Sequence, residues 1–99
     1  MDAEADELFY QCSDAHIRLA NEQLADLSRG KVSSSFMYSV ARFNAWLAAC
    51  RADSADDLRS GKSECIEYFV AQYKAMLNEN LDDYIRHFDK YMRTEGNDA

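Results

Sequence analysis

Cys12 and His16 are four residues apart, so on a helix they project from one face, the geometry by which helical metal sites present two ligands. Asp83 and His87 repeat that spacing near the other end of the chain. Packing of the helices that carry the two pairs would bring four ligands together. The Glu-x-x-His element of a di-iron or di-manganese bundle is nevertheless absent from the sequence. The simpler reading takes Cys12 as a small apolar residue and His16 as a hydrogen-bonded core histidine, so no resident metal or other cofactor is expected, with Cys12 and His16 kept as the candidate ligands.

His16, Gln23 and Asn44 fall inside otherwise apolar helical arcs. A buried imidazole or amide without a partner costs about 1 to 3 kcal/mol, so these three are expected to be buried, bonded to one another or to backbone carbonyls, and to fix helix register. The alternative is a polar pocket around His16 and Asn44, with Cys12 nearby, that takes a small molecule or a metal. Nucleophilic catalysis needs a base beside an activated Ser or Cys, and Cys12 alone has a histidine close in sequence. Ser28-Arg29-Gly30-Lys31 has a single glycine and lacks the strand context of a phosphate loop. With no acid–base pair that has a reason for a perturbed pKa, an enzymatic role is not expected.

These residues must be positioned by helices. The 99 residues contain no proline and three glycines, and 47% are apolar, enough for one all-α domain. Three amphipathic segments follow from the 3.6-residue period. The first spans about residues 3–28, with Leu8, Phe9, Cys12, His16 and Leu19 on one arc and a stop expected at Arg29-Gly30-Lys31. The second, 33–51, starts after Ser33-Ser34-Ser35 as candidate caps. Its bulky flank, Phe43 and Trp46 among others, and its alanine flank, Ala41, Ala45 and Ala48, predict a central helix covered on both sides. The third, 63–93, keeps Ile66, Phe69, Val70, Tyr73, Leu77, Leu81, Tyr84, Phe88 and Tyr91 in phase. Unbroken phase favours one long rod over a break near Asn80, where Asn80 and Asp83 offer caps. Between the second and third segments, Ser54 and Asp57 have capping-box spacing, which predicts a short helical turn in the 52–62 loop. The expected architecture is a three-helix antiparallel bundle with a long C-terminal helix, one domain over 1–99, and a frayed tail at 94–99.

The net charge of −7 argues against binding the phosphate backbone of nucleic acid. Its distribution carries more. Residues 1–27 hold seven acids against Arg18 alone, 28–62 hold six bases against three acids, and 63–99 hold eight acids against four bases. A basic middle between acidic ends favours their mutual packing or an acidic partner, and solvated surface charge is the plain alternative. No membrane-spanning stretch is present, the N-terminus is acidic where a secretory signal is basic, and three cysteines at no metal-like spacing suit reduced thiols. A cytoplasmic protein is expected.

Ser28-Arg29-Gly30-Lys31-Val32-Ser33, Ala41-Arg42-Phe43-Asn44-Ala45, and Asn80-Leu81-Asp82-Asp83-Tyr84 through Phe88-Asp89-Lys90-Tyr91 together resemble a family of short bacterial proteins, domain of unknown function 3144. The resemblance spans nearly the whole chain. It implies an all-helical fold in a bacterial cytoplasm and no activity, so no catalytic residue is carried over. It does direct attention to Arg42, whose guanidinium either pairs with acids of flanking helices or faces an acidic partner. Tyr68 points off the stripe of the third segment, and Ile85 and Met92 sit on its shoulder. With Arg42, Trp46 and Tyr84, they are the candidate interaction residues. The expectation is a non-enzymatic module that associates with itself, a two-fold dimer being favoured, or with another protein.

Overall fold

The computed structural model of the chain describes residues 3–94. The fold is all-α, with no strand among the described residues: α1 (Ala3–Gln23), α2 (Arg29–Arg51), α3 (Ala55–Ser60), α4 (Lys62–Arg86) and α5 (Phe88–Thr94). Of the tail expected to fray, Glu95 onward lies outside the described residues. The chain divides into two compact units whose boundary falls between Ser39 and Val40, inside α2.

In the first unit, α1 opens with Glu4 and Asp6 in its first turn, where acids favour the positive end of the helix dipole. It ends at Gln23, earlier than the periodicity implies, because the next turns tighten: Leu24, Ala25 and Asp26 each donate a backbone N–H to the carbonyl three residues back. Arg29-Gly30-Lys31, expected as a stop, is instead the first turn of α2. Ser28 is the reason. Its Oγ accepts from the Lys31 backbone N–H at 3.2 Å and its carbonyl from Val32 N–H at 3.0 Å, the pattern of an N-cap. Ser33-Ser34-Ser35 therefore lie within the helix and cap nothing. Gly30, with nothing within 4 Å of where a Cβ would stand, is held there by no steric need. Val32, 5% exposed, is the one buried hydrophobic among the described residues.

In the second unit, the expected turn is α3. Ser54 Oγ accepts from the Asp57 N–H at 3.1 Å, while Asp57 Oδ2 accepts from the Asp53 N–H at 2.9 Å. Gly61 closes α3 by donating to Asp57 and Leu58 carbonyls, and α4 follows at once. Helix α4 runs through Asn80 without interruption, about 37 Å at 1.5 Å per residue. The Asn80 side-chain amide donates to the Met76 carbonyl at 2.8 Å, so Asn80 is absorbed into the helix and does not cap a new one. The break falls later, at His87 (φ −119°, ψ 30°), whose N–H still reaches the Asp83 carbonyl at 3.0 Å.

On the bulky flank of α2 expected to be covered, Trp46 is 58% exposed, and Val40 and Phe43 are exposed beside it. The same holds for Leu8, Phe9 and Leu19 on α1 and for most of the α4 stripe.

Candidate functional site

Three arrangements emerge from these elements. The first is the largely exposed stripe of α4 and α5. Ile66, Val70, Tyr73, Leu77, Leu81, Tyr84 and Phe88 recur at spacings of three and four residues and are all exposed. Cys65 beside the stripe, and Phe69 and Tyr91 within it, are half-buried. Packing within the unit thus covers part of the stripe and leaves its other seven members exposed. Of the sequence-predicted interaction residues, Trp46, Tyr68, Tyr84, Ile85 and Met92 are large and exposed, Ile85 most of all at 73%. Arg42 is exposed and joins no ion pair among the described residues.

The second is a hydrogen-bonded cluster at the α4–α5 junction. Asp83 Oδ2 accepts from the Tyr91 hydroxyl at 2.9 Å, and Oδ1 lies 3.1 Å from His87 Nδ1, whose N–H donates in the tautomer that suits this contact. The Tyr84 and Tyr91 rings meet at the junction with centroids 4.7 Å apart and their planes tilted by 48°. Asp83 is held below the ordinary carboxylate range, chiefly by the Tyr91 hydroxyl, against a smaller desolvation that opposes it and with help from the His87 hydrogen bond and the charges of His87 and Arg86. Chemically this is a positioned carboxylate with two donors and no nucleophile, so it fastens α5 to the end of α4. The sequence offered Asp83 and His87 as a pair; Tyr91, eight residues from Asp83, belongs to the apolar stripe by periodicity and its hydroxyl role was not readable there.

The third is an open cleft of about 810 Å³ in the second unit, between the end of α2, α3 and the start of α4, lined by Asn44, Leu47, Arg51, Cys65, Phe69 and Gln72 among others. Asn44 is half-buried at its edge.

The expected buried polar trio is corrected by these placements. His16 is exposed, with its ring 6.2 Å from that of Phe36, and Gln23 and Asn44 are only half-buried. The cleft beside Asn44 is lined by residues of the second unit alone, without His16 or Cys12. Cys12 and Cys50 are exposed free thiols and Cys65 is a half-buried one. No group of three or more His, Cys, Asp or Glu among the described residues is placed to hold a metal ion. No helix among them is long and apolar enough to cross a membrane.

A search of the curated proteins returns no match. Among solved structures the chain is similar to the NMR structure of the protein NB7890A from Shewanella sp, at 37% sequence identity and a TM-score of 0.73, over 88% of this chain and 93% of that one. The helical fold is thus shared with an experimentally determined relative. A family profile matches residues 9–85, which include α2, α3 and nearly all of α4. On that match the chain belongs to the family described as Protein of unknown function (DUF3144).

Proposed function

We propose that this protein is a non-enzymatic self-association module whose α4 stripe is covered by a second copy of the chain. The observation that carries the reading is the exposed apolar row within the second unit: Ile66, Val70, Tyr73, Leu77, Leu81, Tyr84 and Phe88 run along α4 and across its junction with α5, and all seven are exposed. Contiguous apolar surface of this extent on a lone chain marks an association site.

Sedimentation equilibrium tests the reading. A dimer or higher assembly at micromolar concentration is expected; a monomer at several hundred micromolar, with native helicity, would refute it.

The alternative of a small-molecule binder is favoured by one feature, the cleft beside Asn44, whose volume lies within the range of ligand pockets. It would use Asn44, Arg51 and Gln72 as polar contacts. Native mass spectrometry of protein purified from its own host checks it: a retained small molecule supports the alternative, and bare protein rejects it.

A further inference from the structure

The α4–α5 junction lies wholly within the second unit. The backbone N–H of His87 donates to the Asp83 carbonyl and that of Tyr91 to the His87 carbonyl, both at 3.0 Å and both four residues back, as in an uninterrupted helix. The apolar spacing also runs through the break, from Tyr84 to Phe88 to Tyr91. What departs from a helix is His87 itself, at φ −119° and ψ 30°. Sequence and backbone bonding thus suit a continuous rod, and side chains must hold the bend.

Asp83 receives both fastenings. In a straight helix the Tyr91 Cα would stand about 12 Å beyond that of Asp83, and both side chains would tilt towards the N-terminus. The aspartate would then lean away from the tyrosine, out of reach of the 2.9 Å bond that the Tyr91 hydroxyl gives Asp83 Oδ2, so that bond belongs to the bent form. The second fastening is ionisable. His87 Nδ1 lies 3.1 Å from Asp83 Oδ1 and 3.3 Å from the Asp83 carbonyl, two acceptors, so it must carry a hydrogen. A neutral imidazole does so in one of its two tautomers; the imidazolium always does, and it brings a charge opposite to that of Asp83. A cation here is favoured by the end of α4 as well, because the last carbonyls of a helix carry the negative end of its dipole. In a continuous helix that end would move on beyond α5.

We infer that the junction is a proton-operated hinge: a protonated His87 latches α5 in the bent position, and a neutral His87 releases α4 and α5 towards one continuous helix. The side chain is 48% exposed, so solvent protons reach it. Around it on α4 and α5, Arg86 and Lys90 oppose a proton on His87, whereas Asp83, in direct contact, and Asp89, shared with Arg93 at 3.9 Å, favour it. Asp83 is held below the ordinary carboxylate range, so it stays ionised across pH 5 to 8, where histidines change charge. The bent form binds the proton more tightly and therefore gains as pH falls through that range and loses as pH rises. An exposed ion pair changes an equilibrium by roughly two- to fivefold, and the ratio of bent to straight should shift by that much. The hinge acts within one chain and stands or falls independently of self-association.

Residual dipolar couplings of the backbone N–H groups of the intact protein, measured by NMR at pH 5 and pH 8, read the angle between α4 and α5. At pH 5 the couplings of residues 88–93 should fit the bent junction, and at pH 8 they should move towards those of a helix collinear with α4. His87→Gln keeps a donor and loses the charge, so its couplings should be the same at both pH values. Native couplings that do not change with pH overturn the proposal, as does a pH response that survives in His87→Gln. If His87→Gln loses helicity by circular dichroism, Tyr91→Phe decides: without the hydroxyl, α5 should be straighter than native at pH 5, and an unchanged angle overturns the hinge.

Discussion

Leu77 sits at the middle of the α4 stripe, eleven residues from both Ile66 and Phe88, and is 43% exposed. In a dimer that covers the stripe, that remaining exposure is what the second copy removes from water. Full burial of a leucine side chain is worth roughly 1.5 to 3 kcal/mol, so burial of somewhat under half of it contributes about 1 kcal/mol per chain. A two-fold assembly loses the contribution twice when Leu77→Ala is introduced. The expected cost is about 2 kcal/mol of association, a weakening of the dimer dissociation constant by roughly 30-fold. Alanine is the better helix former, so the substitution should not unwind α4. The assay is sedimentation equilibrium over a hundredfold concentration range, with far-ultraviolet circular dichroism at each end. The reasoning is refuted if Leu77→Ala leaves the dissociation constant within about threefold of native. It is equally refuted if the loss appears as lowered helicity in the monomer, because Leu77 would then be part of a core within the chain.

Other substitutions separate the chain's own stability from its assembly. Val32→Ala removes two buried methyl groups and should destabilise by about 2 kcal/mol, read as a lowered urea midpoint. Gly30→Ala should act the other way, stabilising by about 0.4 to 1 kcal/mol, since the position is helical and open; a clear loss would mean that Gly30 has a contact partner in the assembly. Ser54→Ala deletes the cap of α3 and should cost about 1 kcal/mol, with amide exchange accelerating in residues 55–60. Tyr91→Phe removes the main cause of the lowered Asp83 pKa, so a carboxyl NMR titration should show Asp83 moving up towards its ordinary value. The sign of the linked pH effect follows. With the folded pKa depressed, the contribution of Asp83 to stability is present above the unfolded aspartate value of ~3.9 and is lost as pH falls through the folded value. Acid unfolding of Tyr91→Phe should therefore begin at higher pH than that of native protein.

The positions of these predictions differ in how far the sequence could place them. Ser54 with Asp57 was readable as a cap because its hydrogen bond closes within four residues. The α4 rod was readable because its stripe keeps phase from Ile66 to Phe88, and phase is a property of neighbours three and four apart. Where two local signals competed, the sequence could not choose. Ser28 and Ser33 are both acceptable caps, and the one whose carbonyl and Oγ both found N–H donors began α2. Asn80 offered a cap and took the helix instead, while the break went to His87, where Asp83 and Tyr91 hold the turn.

Which residues form helices, and which side of each helix is apolar, is written in the chain, since both depend on intervals of a single helical turn. Whether an apolar side is covered depends on residues far away in sequence or on another molecule. Periodicity gives Trp46, His16 and Leu77 the same inward signature, and only the tertiary structure reveals that all three are exposed in the single chain. Burial is a relation between surfaces, and one strand of letters specifies only one of the two.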